Sequence, residues 1–235
     1  MVADVDGTLT DRSMRLSVRA VEAVRRLEEE GVMVMLASHN ALCVVKALAT
    51  YMGCSGPIIC EGGGVVEHGG RLVILGSRER ASRAMEALRR RYGDAIVESW
   101  SNRYRLVDQA FTTSLAREVL EEALSEVEGV KLVYTGFAYH VVDSAVDKGR
   151  GLRAAMELAG LEAEDVVAVG DSDVDVELLR AAGLGVAVGD ATPRLKEAAD
   201  LVVSSGDGEG FAELASMLLE GRLSRGRCPP SRTPP

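Results

Sequence analysis

The segment Asp4-Val5-Asp6-Gly7-Thr8 sets two carboxylates two residues apart, directly after an apolar run and directly before a glycine. Alternate residues of a strand share a face, so both acids can converge where such a strand ends. Gly7 permits the sharp turn that must follow. Two acids at a strand end suit a hard divalent cation and a phosphoryl group, with one carboxylate free to attack. The same pentapeptide also reads as an ordinary Asp-Gly turn, so the chemistry depends on what accompanies it.

Three further groups accompany it. Ser38 sits in Leu36-Ala37-Ser38-His39-Asn40, after an apolar run. Lys148 sits in Val146-Asp147-Lys148-Gly149, and Gly170-Asp171-Ser172-Asp173-Val174-Asp175 follows an apolar run ending at Val169. Each has a simpler reading alone. Ser38 could cap a helix, and Asp171 or Ser172 could do the same. Asp173 and Asp175 could be first-turn acids, and Lys148 a solvated lysine at a helix start. A helix start disfavours a lysine, so Lys148 asks for an anionic neighbour. Together, at successive strand ends, the groups outline one site, because ligands in open α/β sheets bind beyond the carboxyl ends of the strands.

The elements that would position these groups follow from periodicity. A short buried strand covers 2–5; with only three residues before Asp4, either this strand is short or the start lies upstream. Ala20, Val21, Val24 and Leu27 predict an amphipathic helix over 17–30, stopped by Gly31. The apolar run 32–37 predicts a parallel strand covered on both faces, followed by a helix over 41–52 and a strand over 57–60. His68-Gly69-Gly70 joins a hairpin. From residue 78 the plan changes to a helix over 80–92, strands over 95–100 and 104–111, a helix over 114–127, and strands over 130–134 and 138–143. After Lys148, helices over 149–159, 174–182, 193–198 and 210–219 alternate with strands over 166–169, 185–188 and 201–203. The expected fold is α/β: a doubly wound, Rossmann-like parallel-sheet core from 1–77 plus 148–221, with a small α+β unit inserted at 78–147. The segment 222–235, rich in arginine and proline, reads as a disordered basic tail.

Bulk properties narrow the function classes. The chain has 235 residues, 47% of them hydrophobic, enough for a sizeable core. A formal net charge of −9 argues against a nucleic-acid partner. No apolar run is long enough to span a bilayer and no signal peptide is evident, so a cytoplasmic protein with no membrane partner is expected. Cys43, Cys54, Cys60 and Cys228 lack metal-ligand spacing and read as buried thiols, although Cys54 and Cys60 could approach each other. Asn40, Asn102 and Gln109 are the only side-chain amides, a scarcity that fits a protein from a hot environment. A monomer or a homodimer is equally compatible with the sequence.

The four groups resemble the motifs of the haloacid dehalogenase superfamily of phosphohydrolases. Asp4-x-Asp6-Gly7-Thr8 is similar to the first motif, Ser38 to the second, Lys148 to the third, and Gly170-Asp171-Ser172 with Asp175 to the fourth. The insertion between the second and third motifs resembles the α/β cap of the subfamily holding Cof-type, sucrose-phosphate and archaeal phosphoglycolate phosphatases. The segments 57–63 and 195–200 also look like that subfamily, and the small cap and total length look most like its archaeal phosphoglycolate phosphatases. Departures occur at His39, where glycine is usual, at Gly62 and Val174, where asparagine is common, and at Asp190, where asparagine is frequent.

The resemblance implies a Mg²⁺-dependent phosphomonoesterase working through an aspartyl-phosphate. Asp4 would be the nucleophile and Asp6 the general acid and base. Mg²⁺ would be held by Asp4, the backbone carbonyl of Asp6, Asp171 and Asp175. Ser38, with His39 and Asn40 beside it, would hold phosphate oxygens, and Lys148 would neutralise charge in the transition state. The substrate would be a small phosphorylated metabolite, with 2-phosphoglycolate favoured; a phosphosugar phosphatase, a phosphomutase or a non-catalytic phosphate-binding module are the alternatives. The cap would close over the site and read the organic part of the substrate. Arg103, Arg105 and His140, in or beside cap strands, are polar groups that could face the substrate or form surface ion pairs.

Overall fold

The structure, a computed structural model, describes residues 1–223. The expected tail lies outside the described residues from position 224 onward, as does Cys228. The first part of the chain forms β1 (Val2–Asp4), α1 (Val18–Glu29), β2 (Met35–Ala37), α2 (Leu42–Met52), β3 (Ile58–Cys60), β4 (Val65–His68) and β5 (Arg71–Ile74). The middle forms α3 (Arg78–Tyr92), β6 (Val97–Glu98), β7 (Gln109–Thr112), α4 (Arg117–Leu124), β8 (Val130–Tyr134) and β9 (Tyr139–Asp143). The last part forms α5 (Lys148–Ala159), β10 (Val167–Gly170), α6 (Val176–Ala181), β11 (Leu184–Ala187), α7 (Pro193–Ala198), β12 (Leu201–Val202) and α8 (Asp207–Leu219).

Two sheets result. The larger has eight strands in the order β12-β11-β10-β1-β2-β3-β4-β5, built from the first and last parts of the chain. Strands β12 to β3 run parallel, and β4 and β5 close one edge as an antiparallel hairpin. The strands β1, β2, β3 and β10 are fully buried or nearly so, as continuous apolar runs covered by helices on both faces must be. The smaller sheet is antiparallel, in the order β6-β7-β9-β8, and carries α3 and α4 on one face. Each sheet has its own apolar cluster: Leu36, Ile59, Val169 and Phe211 belong to the first, and Leu88, Phe111, Leu120 and Val141 to the second.

The smaller sheet departs from its expected strands. Only Val97–Glu98 pairs within 95–100, and β7 begins at Gln109 rather than 104. Residues Trp100–Tyr104 turn as a 3-10 helix, capped by the Ser99 hydroxyl. Residues 105–108 are drawn toward the larger sheet instead: Glu61 there accepts the backbone N–H groups of Leu106, Val107 and Asp108. Strand propensity lost to a buried tertiary partner.

Cys43, Cys54 and Cys60 are all free thiols. Only Cys60 is buried, and Cys43 is exposed on α2, which corrects the expectation of uniformly buried thiols. Among the described residues no helix is long and apolar enough to cross a membrane.

Candidate active site

β1 pairs with β2 on one side and β10 on the other, all parallel. Chain order reverses at this strand, with β2 and β3 leading one way and β10 to β12 the other. Such a switch point opens a crevice beyond the strand ends. Register then fixes the chemistry: Asp4 lies opposite Ala37 of β2, one residue before Ser38. Ala3 lies opposite Val169 of β10, so Asp4 is level with Gly170 and the loop carrying Asp171. Gly7 turns away from β1 with φ +95°, and a Cβ there would stand 2.5 Å from Asp171 Oδ2. Only glycine suits both the backbone conformation and this close approach.

The expected residues converge. Carboxylate oxygens of Asp4, Asp171 and Asp175 lie within 4.8 Å of one another. Lys148, 1% exposed, hydrogen-bonds Asp4 Oδ1 and, at 2.6 Å, Asp175 Oδ1. It is therefore not a solvated surface lysine; the two acids are the anionic neighbours its place at the start of α5 requires. Asp175 Oδ2 accepts the backbone N–H groups of Asp171 and Ser172 and the Ser172 hydroxyl, at 3.1–3.2 Å. Asp175 thus anchors the loop as well as the lysine. Asp4 Oδ2 is buried with no hydrogen-bond partner among the described residues.

Ser38 does not cap α2; Ala41 occupies that position. Its hydroxyl instead donates to Asp6 Oδ2 at 3.3 Å and accepts from the Asn40 backbone N–H at 3.0 Å. Asn40 Nδ2 donates to the same Asp6 oxygen at 3.0 Å. His39 packs its ring against that of His140, with centroids 5.4 Å apart.

Electrostatics follow from burial and crowding. Burial and then the Asp175 charge hold the Asp4 carboxyl well above the usual carboxylate range, with Lys148 opposing. Burial and Asp175 lift Asp171 to about 7. Burial also raises Asp6, against Lys148 and the Ser38 hydrogen bond. Burial disfavours a charged Lys148, yet Asp175 and Asp4 raise it above the ordinary lysine value. His39 is pushed well below its usual range by burial and by Lys148, and stays neutral. Three close carboxylates, one ammonium and an orphaned buried oxygen fit a divalent cation with oxygen ligands. The donors are all hard oxygens, without His or Cys.

The smaller sheet reaches this site. A chamber of about 20 Å³ is lined by Asp4, Asp6, His39, Lys148, Ser172 and Val174 together with Thr135 and Phe137 of the β8–β9 turn. A cleft of about 190 Å³ adjoins it, sharing His39, Lys148 and Val174. A larger depression, about 530 Å³ around Arg80 and Arg83, contains none of these groups.

Sequence reasoning missed a buried network behind His39. Arg105 is 4% exposed: it contacts both oxygens of Asp108 at 2.7 and 2.8 Å and donates to the His39 carbonyl at 2.9 Å. His140 Nδ1 lies 2.8 Å from Asp108 Oδ2. Arg105 and His140 are therefore neither surface ion pairs nor groups that stand free in the cleft, whereas Arg103 is exposed and stacks over Tyr104. Burial works against the Asp108 charge, but His140 and Arg105 hold its carboxyl below the usual value. Glu61 is fully buried, and burial followed by the Asp108 charge lifts it to about 7 despite three backbone hydrogen bonds. Its place in the 57–63 segment was the available signal. Two residues further on, Gly63 has φ +101°, and a Cβ there would stand 2.0 Å from the Asp147 carbonyl oxygen. The residue before Lys148 is thus held directly against the 61–63 turn.

Known proteins agree with this architecture. The family of haloacid dehalogenase-like hydrolases matches residues 1–126 and 111–214. A phosphoglycolate phosphatase from Archaeoglobus fulgidus is 40% identical over 224 residues, covering 93% of this chain and 96% of its own. One from Methanothermobacter thermautotrophicus is 39% identical over 213 residues, covering 91% and 95%. A crystal structure of a Thermoplasma acidophilum protein superposes with a TM-score of 0.84 at 27% identity, covering 93% of this chain and 96% of that one. Sheet order, the carboxylate cluster around Lys148 and these relationships agree: the chain belongs to the haloacid dehalogenase-like hydrolases.

Proposed function

We propose that the protein is a Mg²⁺-dependent phosphomonoester hydrolase acting on 2-phosphoglycolate through a phosphorylated Asp4, in the cytoplasm. The observation that carries this reading is Asp4 Oδ2, buried and without a hydrogen-bond partner among the described residues, on a residue that lines the chamber beyond the switch point. An oxygen without a protein partner, beside a lysine that holds its neighbour, is poised for an external electrophile. The names of the two archaeal relatives support the substrate.

In this mechanism an Asp4 oxygen attacks phosphorus, and the bond from phosphorus to the ester oxygen breaks. Asp6 gives its proton to that leaving oxygen. Both hydrogen bonds to the Asp6 side chain fall on Oδ2, which orients the carboxyl while leaving Oδ1 for the proton transfer. Asp6 then takes a proton from water as that water attacks phosphorus, and the bond to Asp4 breaks to release phosphate. Ser38 and the backbone near it support phosphate oxygens, and Lys148 offsets the charge that builds on the transferring group. Asp4, Asp171, Asp175 and the Asp6 carbonyl would hold Mg²⁺, which when bound would supply the positive charge that lets two anions meet. The smaller unit, 78–147, acts as the cap, excluding water through Thr135 and Phe137.

The test is a phosphate-release assay over phosphorylated acids and phosphosugars, with Mg²⁺ and after chelation. The expected outcome is the highest kcat/KM for 2-phosphoglycolate, abolished by chelation and restored by Mg²⁺. Preference for a hexose phosphate, or full rate after chelation, would refute the corresponding part.

A further inference from the structure

The face that the smaller sheet turns toward Asp4 carries one charge that the protein does not match. Leu132 and Val141 point into the cap's own apolar cluster. By alternation their neighbours Lys131, Val133, His140 and Val142 face the other way, and they are cross-strand pairs: Lys131 opposite Val142, Val133 opposite His140. Lys131, Val133 and Val142 line the cleft of about 190 Å³ next to the reaction chamber.

Every other charged group in that cleft has a partner. Lys148 is held by Asp4 and Asp175. Asp147 caps α5 by accepting the Arg150 N–H at 2.7 Å. Asp173 accepts from the Thr192 hydroxyl at 2.7 Å and lies 3.6 Å from Arg194. Glu177 pairs with Arg180 at 2.8 Å. His39 is neutral. Lys131 alone has no ion pair among the described residues, although it is only half-exposed against a wall of valines. A cation in partly apolar surroundings, beside a site for a phosphoryl group, is complementary to a second anion on the same small molecule. The residues that β8 and β9 present to the cleft, Lys131, Val133 and Val142, offer no carboxylate or amide to accept hydrogen bonds from a polyol. The volume is below the roughly 300–1,000 Å³ of pockets for drug-sized ligands, which suits a few non-hydrogen atoms.

We propose that Lys131 is the specificity-determining residue, pairing with a carboxylate carried by the substrate two bonds from its ester oxygen. This inference rests on the phosphatase reading above and names the residue that selects the acid. The chemistry at phosphorus stays with Asp4 and Asp6, and Lys131 supplies binding energy that an uncharged substrate of equal size does not receive.

The experiment compares 2-phosphoglycolate with ethyl phosphate, which replaces the carboxylate by a methyl group. Both are assayed with wild type, Lys131→Met and Lys131→Arg in Mg²⁺. Loss of a charge-assisted contact should lower kcat/KM of Lys131→Met on 2-phosphoglycolate about 10- to 100-fold, chiefly through KM. Ethyl phosphate turnover should stay within about twofold, which also certifies a folded active site. Lys131→Arg should recover most of the preference. An unchanged ratio of the two substrates in Lys131→Met overturns the proposal while leaving the phosphatase reading intact. Equal losses on both substrates, unrescued by arginine, also overturn it. A wild type that hydrolyses ethyl phosphate as well as the acid removes the substrate reading and this inference together.

Discussion

Two buried clusters of charge lie within a few residues of each other, and they are built on opposite plans. Around Asp108 the protein closes its own circuit. Arg105 takes both carboxylate oxygens, His140 takes one of them, and Glu61 collects the N–H groups of 106–108. Around Asp4 the circuit is open. Three carboxylates crowd together, only two of them hold the one ammonium, and one buried oxygen has no hydrogen-bond partner among the described residues. Closed networks of this kind position elements, whereas an open one costs stability that only an incoming ligand recovers. The exception in the closed cluster is His140 Nε2, buried without a hydrogen-bond partner among the described residues.

The contrast is sharpest in its largest consequence. Asp4→Asn should reduce turnover by at least about 10⁴-fold, because the nucleophile itself is lost. The metal-free unfolding midpoint should not fall, since the change removes a charge crowded by Asp175 and Asp171. Near-normal turnover, or a large loss of stability, would place Asp4 with the closed network instead. Asp108→Ala should show the reverse. Stranding Arg105 and His140 should cost about 3–5 kcal/mol in urea denaturation, with chemistry retained in the folded fraction. A variant of full stability and no turnover would break the distinction between the clusters.

A smaller effect separates them by pH. The folded pKa of Glu61, about 7, lies above its ordinary value of 4.5. Between those values the folded protein holds a proton that the unfolded chain has released. The stability from this group is therefore full at low pH and declines as pH rises toward 7. Relative to Glu61→Gln, wild type should lose on the order of 2 kcal/mol from pH 4.5 to 7.5 in denaturant titrations. A flat difference would mean that the backbone N–H groups keep Glu61 ionised throughout.

The open cluster was legible in the sequence and the closed one was not, for a physical reason. Asp4, Ser38, Lys148 and Asp171 each follow an apolar run or begin a helix, and the parallel sheet brings such ends to one edge. No more than order along the chain is needed to gather them. Arg105, Asp108 and His140 meet Glu61 only because a second sheet docks on the first, and no local period encodes that approach. The same docking removed residues 104–108 from the strand expected over 104–111. Lys131 sits in a strand whose alternation was visible, but which of its faces meets the larger sheet depended on the packing of Leu132.

The turn Glu61–Gly63 has two grips. Through Glu61 it holds the peptide that leads into β7, and through Gly63 it abuts the peptide that precedes Lys148. Any rotation of the smaller unit that keeps the Glu61 hydrogen bonds must drag this pivot, and the root of α5 with it. The peptide at 106–108 and the start of α5 are thereby linked through one turn, by a single carboxylate on one side and a bare backbone contact on the other.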